Sequence, residues 1–355
     1  MSRNVFPLSL TAALLAGTAM ADVPKVAADI TPVHSLVARV MDGVGDPALI
    51  VQQGASPHGY SLRPSEAEAL QEANLVFWIG ADLAPWMDSA IDTLTEGAEV
   101  TTLLDLDETN RLEMRSGALF EAHDHGDHGH DEHGHDDEHG HDDEHGHGDD
   151  HADDDHDHEH DDEHAQKDHD DHGHDDHADD HGHAHGAYDP HAWLSPDNAS
   201  AWLTVIAAEL SAADPDNAGS YFANAKAGQE ELAALSQEIN GILEPVGGRN
   251  FIVFHDAYQY FEASFDTFAA GAISVSDASD SGPARIEAIQ TRVAEQNVTC
   301  VLAEPQFDPG IIRAVAEGAE VNTGVLDPLG SDLEQGPGLY PQLLRNLATS
   351  LADCL

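Results

Sequence analysis

Residues 123–185 hold 22 of the chain's 26 histidines, interleaved with aspartate and glutamate and with one lysine, Lys167. No globular core can be built from that stretch. Runs such as His139-Gly140-His141-Asp142-Asp143-Glu144-His145-Gly146-His147 lack the apolar side chains whose burial offsets ordering entropy, which predicts a segment disordered without a ligand. The tract does offer many imidazoles beside carboxylates, a donor set that suits Zn²⁺ and its borderline neighbours. A plain solvated linker would have no reason to prefer histidine over serine or glycine. His123, His125, His128, His130, His133, His135, His139, His141, His145 and His147 are therefore candidate members of an accessory metal-binding loop with shifting two- or three-ligand sites.

The tract also isolates the remaining histidines: His34, His58, His191 and His255. Each lies in a segment with the composition of ordered structure. They carry more weight than any one of the 22.

At the N-terminus, Arg3 precedes an apolar stretch from Val5 to Ala16, and Ala19-Met20-Ala21 gives a small-x-small pattern. This reads as a signal peptide over residues 1–21 with cleavage before Asp22, and so as export to the periplasm. The apolar stretch is short of the roughly 20 residues that a membrane span needs. Two cysteines, Cys300 and Cys354, form an even pair that favours a disulfide in an exported chain.

The tract's 27 acidic residues account for about half of the formal charge of −55, and the rest of the chain still has 41 acidic residues against 12 basic ones. That balance excludes nucleic-acid and anionic-membrane binding and suits a protein that attracts cations.

Outside the leader and the tract, strand-like and helix-like segments alternate, which argues for an α/β fold with parallel sheets. Ala48 to Val51, Leu75 to Gly80 and Glu99 to Leu104 read as strands, with helices from Pro64 to Ala73 and Trp86 to Leu94. After the tract, helices run from Ser195 to Leu210 and from Asn217 to Leu243, the second long enough for a stiff connector or for a surface helix along one lobe. The theme then repeats: strands at Asn250 to Phe254, Val298 to Ala303 and Gly324 to Leu326, and helices at Pro283 to Asn297 and Pro309 to Gly318. The expected organisation is an N-terminal lobe over 22–210 that includes the tract, a linking helix over 211–243 and a C-terminal lobe over 244–355.

His58, His191 and His255 fall at loops or strand ends, and Asp327 follows the last strand. In open α/β sheets the carboxyl ends of strands line the ligand crevice. Three histidines and an aspartate would supply the four tetrahedral ligands that zinc prefers. Asp327 has a second reading as a cap of the next element, with water completing the site. His34 starts a helix-like run and reads as structural or as an outer partner of the ligands, and Glu304 reads as another outer partner.

Five motifs carry a resemblance. Ser56-Pro57-His58-Gly59-Tyr60, Asp189-Pro190-His191-Ala192-Trp193, Phe254-His255-Asp256-Ala257-Tyr258, Ala303-Glu304-Pro305-Gln306-Phe307 and Leu326-Asp327-Pro328-Leu329-Gly330 together resemble the zinc-binding solute-binding proteins of bacterial ABC transporters, in order and over essentially the whole mature chain. The resemblance implies two βα lobes joined by a single rigid helix, metal held in the cleft between them, and a cysteine pair in the second lobe like Cys300 and Cys354. It also implies a membrane ABC permease as partner for high-affinity zinc uptake, with the protein acting as a monomer, and it leaves room for a periplasmic zinc chaperone. The family also has manganese and iron members; the manganese type usually places a carboxylate where this chain has His255, and imidazole-rich sites favour zinc over Mn²⁺. Pro57 and Gly59 flank His58 where some zinc members place an acidic residue beside the first ligand, so that loop offers no evident carboxylate.

A periplasmic zinc buffer or metallochaperone built on the tract is the rival reading. An enzyme is not expected, because the chain has no HExxH motif and no evident general base paired to the site.

Overall fold

Alternation of apolar side chains along short strands sets the layering of the chain. The computed structural model describes residues 23–115, 120, 188–274 and 282–355; the expected leader at 1–21 and the histidine tract at 123–185 lie outside them. In the first half run β1 (Val26–Ala28), α1 (Thr31–Met41), β2 (Ala48–Leu49), α2 (Pro64–Glu72), β3 (Leu75–Trp78), α3 (Pro85–Leu94) and β4 (Glu99–Thr102). After the tract come α4 (Pro196–Ala213) and α5 (Ala218–Leu243). The second half holds β5 (Phe251–His255), α6 (Gln259–Phe265), β6 (Gly271–Ser274), α7 (Pro283–Glu295), β7 (Cys300–Ala303), α8 (Pro309–Ala316), β8 (Asn322–Val325) and α9 (Leu339–Cys354).

The strands form two four-stranded parallel sheets, ordered β2-β1-β3-β4 and β6-β5-β7-β8. Each half thus repeats one topology, with its second strand outside its first. Period-two geometry sends successive side chains to opposite faces. Val26, Ala28, Leu75 and Phe77 enter one continuous core that extends into the second half, while Ala27, Val76 and Trp78 pack outward against Leu70, Met87 and Ile91 of α2 and α3. On β5 the same rule sends Phe251 and Val253 to the shared core and Ile252 and Phe254 to the outer cluster with Ile289 and Ile312. His255, two residues after Val253, takes the inward parity.

Five helices have proline as their first residue: α2, α3, α4, α7 and α8. There the missing N–H has no helical partner to lose. Ser195 caps α4 by accepting from the Asn198 amide at 3.2 Å, and Asp308 caps α8 by accepting from Gly310 at 2.8 Å.

The 26 residues of α5 span about 39 Å at 1.5 Å per residue. Its buried side chains, Tyr221, Ala225, Gly228, Leu232, Leu235, Ile239 and Leu243, recur at spacings of three and four and form one stripe. That stripe packs on α4, α1 and α9, so α5 is supported along its length. Gly228 allows the close crossing with α4: a Cβ there would stand 2.9 Å from Leu203 Cδ1.

Several strands are shorter than their apolar runs. Glu99 to Leu104 gives way after Thr102 to a 3₁₀ turn at Leu103–Asp105, and the expected strand over Ala48 to Val51 is confined to β2. The C-terminal helix α9 packs on α1, α5 and β8, and the Cys300–Cys354 disulfide, with its Cα atoms 5.7 Å apart, ties its end to β7.

Candidate metal centre

Each of the three histidines is positioned by a different local device. His58 lies in the long connection between β2 and α2. The indole of Trp86 donates to the Pro57 carbonyl at 2.7 Å, and the Tyr60 hydroxyl donates to Glu66 Oε1 at 2.8 Å. Glu66 is buried and accepts from the Arg63 amide at 2.7 Å, so this loop is braced on the start of α2. His191 precedes a 3₁₀ turn at Ala192–Leu194. Its chain direction is set by the Asp189 amide, which donates to the Leu112 carbonyl at 2.8 Å, and by the Tyr260 hydroxyl, which donates to the Asp189 carbonyl at 2.9 Å. His255 is the last residue of β5.

These three side chains converge. One ligand nitrogen from each of His58, His191 and His255 lies within 4.8 Å of the others, and Nε2 of His191 is 3.4 Å from Nε2 of His255. The cavity they share is also lined by Trp193, Glu304, Gln306 and Phe307.

Buried carboxylates hold the opposite sides of two rings. Nδ1 of His191 sits 2.7 Å from Asp189 Oδ1, and Nδ1 of His255 sits 2.7 Å from Glu304 Oε1. The same oxygens accept the backbone amides of His191 at 3.0 Å and His255 at 3.3 Å. A carboxylate that accepts a hydrogen bond from Nδ1–H fixes the proton there and leaves Nε2 as the base, the tautomer a metal ligand needs. Burial pushes Asp189 up to about 7 and His191 well below its ordinary value. Both shifts have one meaning: without a cation, the site resists carrying charge. A dication at the Nε2 atoms would restore the Asp189 carboxylate.

Behind this layer lies an ion-pair cluster. Arg115 binds Asp256, next to His255, and reaches Glu262 Oε2 of α6 at 2.6 Å. Burial pushes Asp256 up and Glu262 up to about 7, against the pull of Arg115. The burial that works against the guanidinium charge is outweighed by Glu262 and Asp256, which hold it firmly protonated.

Two expected residues stand elsewhere. Asp327 does not join the histidine group. Its Oδ1 accepts from the Leu329 and Gly330 amides, both at 3.1 Å, and its Oδ2 from the Ser331 amide at 2.5 Å. It therefore acts as the cap that sequence reading held as its second possibility, and the positive φ of Gly330 (69°) lets the turn close on it. The turn so formed touches the site by its backbone: the Pro328 carbonyl accepts from Trp193 Nε1 at 2.8 Å. His34 is buried in α1, where its Nε2 contacts the Pro47 carbonyl at 3.1 Å. Neither residue lines the histidine cavity, and burial lowers His34 as it would any packed imidazole. The tract histidines His123, His125, His128, His130, His133, His135, His139, His141, His145 and His147 lie outside the described residues.

Sequence reasoning assigned no role to Asp189, although it stands two residues before His191 in a quoted motif. A carboxylate at that spacing across a proline was the available signal. Arg115, Asp256 and Glu262 had no comparable signal, because only the fold assembles them.

The sequence matches the family described as zinc-uptake complex component A, periplasmic, over residues 26–354. The chain belongs to that family. A high-affinity zinc uptake system protein of Brucella abortus (strain 2308) is 46% identical over 99% of both chains. One of the same name from Paracoccus denitrificans (strain Pd 1222) is 44% identical over 98% of both. Among solved structures, a crystal structure of ZnuA matches with a TM-score of 0.66 at 21% identity, covering 94% of this chain and 99% of that one. That structural likeness extends the family assignment to the fold.

Proposed function

We propose that this chain captures Zn²⁺ in the periplasm through His58, His191 and His255 and delivers it to a membrane ABC permease for high-affinity uptake. The observation that carries the reading is the convergence of three imidazole nitrogens, two of them backed at Nδ1 by buried carboxylates. An all-imidazole set favours zinc over the oxygen-preferring Mn²⁺. The names of the relatives point the same way.

On this reading the protein does no covalent chemistry. It works as a monomer, is exported by cleavage after residue 21, and uses the histidine tract as an accessory collector that raises local zinc concentration. Packing along the whole of α5 limits hinge motion between the halves. Release then depends on the permease competing for the ligands.

The test is zinc titration of the full chain and of His58→Ala against a chelator of known affinity, following tryptophan fluorescence. Trp193 reports locally, its ring 5.2 Å from that of His191. The full chain should show one site tighter than all others, coupled to a fluorescence change. His58→Ala should weaken that site by more than the roughly 10–100-fold typical of losing an outer partner. A tight site that survives His58→Ala would move the function away from this centre and toward the tract.

A further inference from the structure

Three backbone amides hold Asp327, and it is not part of the histidine group, so the fourth position at that centre is open to another group. Gln306 lines the same cavity as His58, His191 and His255. Its amide has a fixed orientation. Nε2 donates to Ser331 Oγ at 3.0 Å and lies 3.4 Å from Asp327 Oδ1. Ser331 Oγ in turn donates to Asp327 Oδ1 at 3.3 Å and is left with a lone pair for Gln306. Asp327 can only accept, so the nitrogen of the amide must face it. Oε1 then points the other way, is buried, and has no hydrogen-bond partner among the described residues.

A buried acceptor without a donor is unfavourable and calls for a ligand that brings one. Imidazole nitrogens that bind metal through Nε2 and donate Nδ1–H to Asp189 and Glu304 have no proton to offer. A metal-bound water has two. The cavity is small, about 20 Å³ for metal and fourth ligand together, which favours a ligand no larger than water.

We propose that Gln306 Oε1 accepts a hydrogen bond from a water molecule bound as fourth ligand to the metal at His58, His191 and His255, and so selects water over anions at that position. This rests on the zinc-capture reading. It assigns Asp327 an indirect part: Asp327 orients the Gln306 amide and does not touch the metal. Gln306 is a positioning and selectivity residue, and its signature differs from that of a packing residue.

The experiment loads one equivalent of Co²⁺ into the full chain, Gln306→Met and Gln306→Glu, with His58→Ala as the background for other sites. Visible absorption reports the coordination sphere, and azide is titrated as an anion that displaces the water but brings no donor to Oε1. Gln306→Met should weaken Zn²⁺ binding about tenfold, from the loss of one hydrogen bond to a charged centre. It should at the same time bind azide about tenfold more tightly, because the acceptor that opposed the anion is gone. Gln306→Glu keeps an acceptor and should resist azide at least as well as the parent; it also preserves shape should the methionine variant fail to fold. Unchanged azide affinity in Gln306→Met would overturn the proposal. So would a parent Co²⁺ spectrum with no displaceable ligand, which would indicate direct ligation by the amide oxygen. A parent spectrum identical to that of His58→Ala would instead overturn the zinc-capture reading itself.

Discussion

The Nε2 atoms of His191 and His255 face each other across 3.4 Å, while each ring's Nδ1 rests 2.7 Å from a buried carboxylate oxygen. Two bases held this close, with their protons directed away from each other, form a site whose electrostatic complement is a cation. The carboxylates set both the tautomer and the ring basicity. Asp189→Asn and Glu304→Gln keep an oxygen that accepts Nδ1–H but remove its charge, so each should weaken zinc binding by roughly 10–100-fold. Chelator competition measures this. Equal affinity in the parent and both variants would show that the imidazoles act without their acidic partners.

Burial that raises Asp189 to about 7 also links zinc binding to protons. Below that value the metal-free site holds a proton that must leave when the dication binds. Zinc affinity should therefore decline as pH falls through about 7, by up to tenfold per pH unit for that one proton. In Asp189→Asn the group cannot titrate, and the number of protons released between pH 6 and 7 should drop by about one. Calorimetry in buffers of different ionisation enthalpy counts those protons. A parent that releases no proton in this range would show Asp189 already ionised without metal.

The alternation of apolar runs and proline-started helices made the α/β class legible, because β3, β5 and β7 are short and buried on both faces and α2, α4 and α7 carry their own start signals. The strand β1, three residues of Val and Ala, was too short to stand out, and β6 carries a single large apolar side chain, Ile273. The three histidines whose side chains converge stood out for a related reason: each lies at a loop or strand end. Asp327 too follows a strand, but sequence order does not show that its oxygens accept from three backbone amides. Arg115 was illegible because its partners Asp256 and Glu262 are 141 and 147 residues away.

Those partners make Arg115 a strong destabilisation site. It is mostly buried, and so are both carboxylates. Arg115→Met would leave two acidic groups without their counter-charge, a change that typically costs about 3–5 kcal/mol. The loss should be greater at pH 8 than at pH 5, because burial already pushes Glu262 up to about 7 and protonation relieves the unpaired charge. Urea denaturation at the two pH values measures the difference. Equal and small losses at both would mean that the pairs contribute little beyond their own desolvation.

Asp29, at the carboxyl end of β1, gives a pH signature independent of metal. Its Oδ1 accepts from the Ile30 amide and its Oδ2 from the Ile79 amide, both at 2.7 Å, so it links the ends of β1 and β3. Burial nonetheless pushes it from 3.8 up to about 7, with those amides pulling the other way. The folded state therefore holds a proton that the unfolded chain has released over this window. Stability conferred through this group is fullest below the unfolded value and falls as pH rises toward about 7, with a slope of up to about 1.4 kcal/mol per pH unit. Above about 7 both states are ionised and the slope from Asp29 vanishes. Asp29→Asn cannot titrate; it should be less stable at acid pH, having lost an acceptor, yet should show a shallower decline between pH 5 and 7 than the parent. Metal-free denaturation curves across that range test it. Parallel pH profiles for the two proteins would show that Asp29 is ionised throughout and that its two amide bonds outweigh its burial.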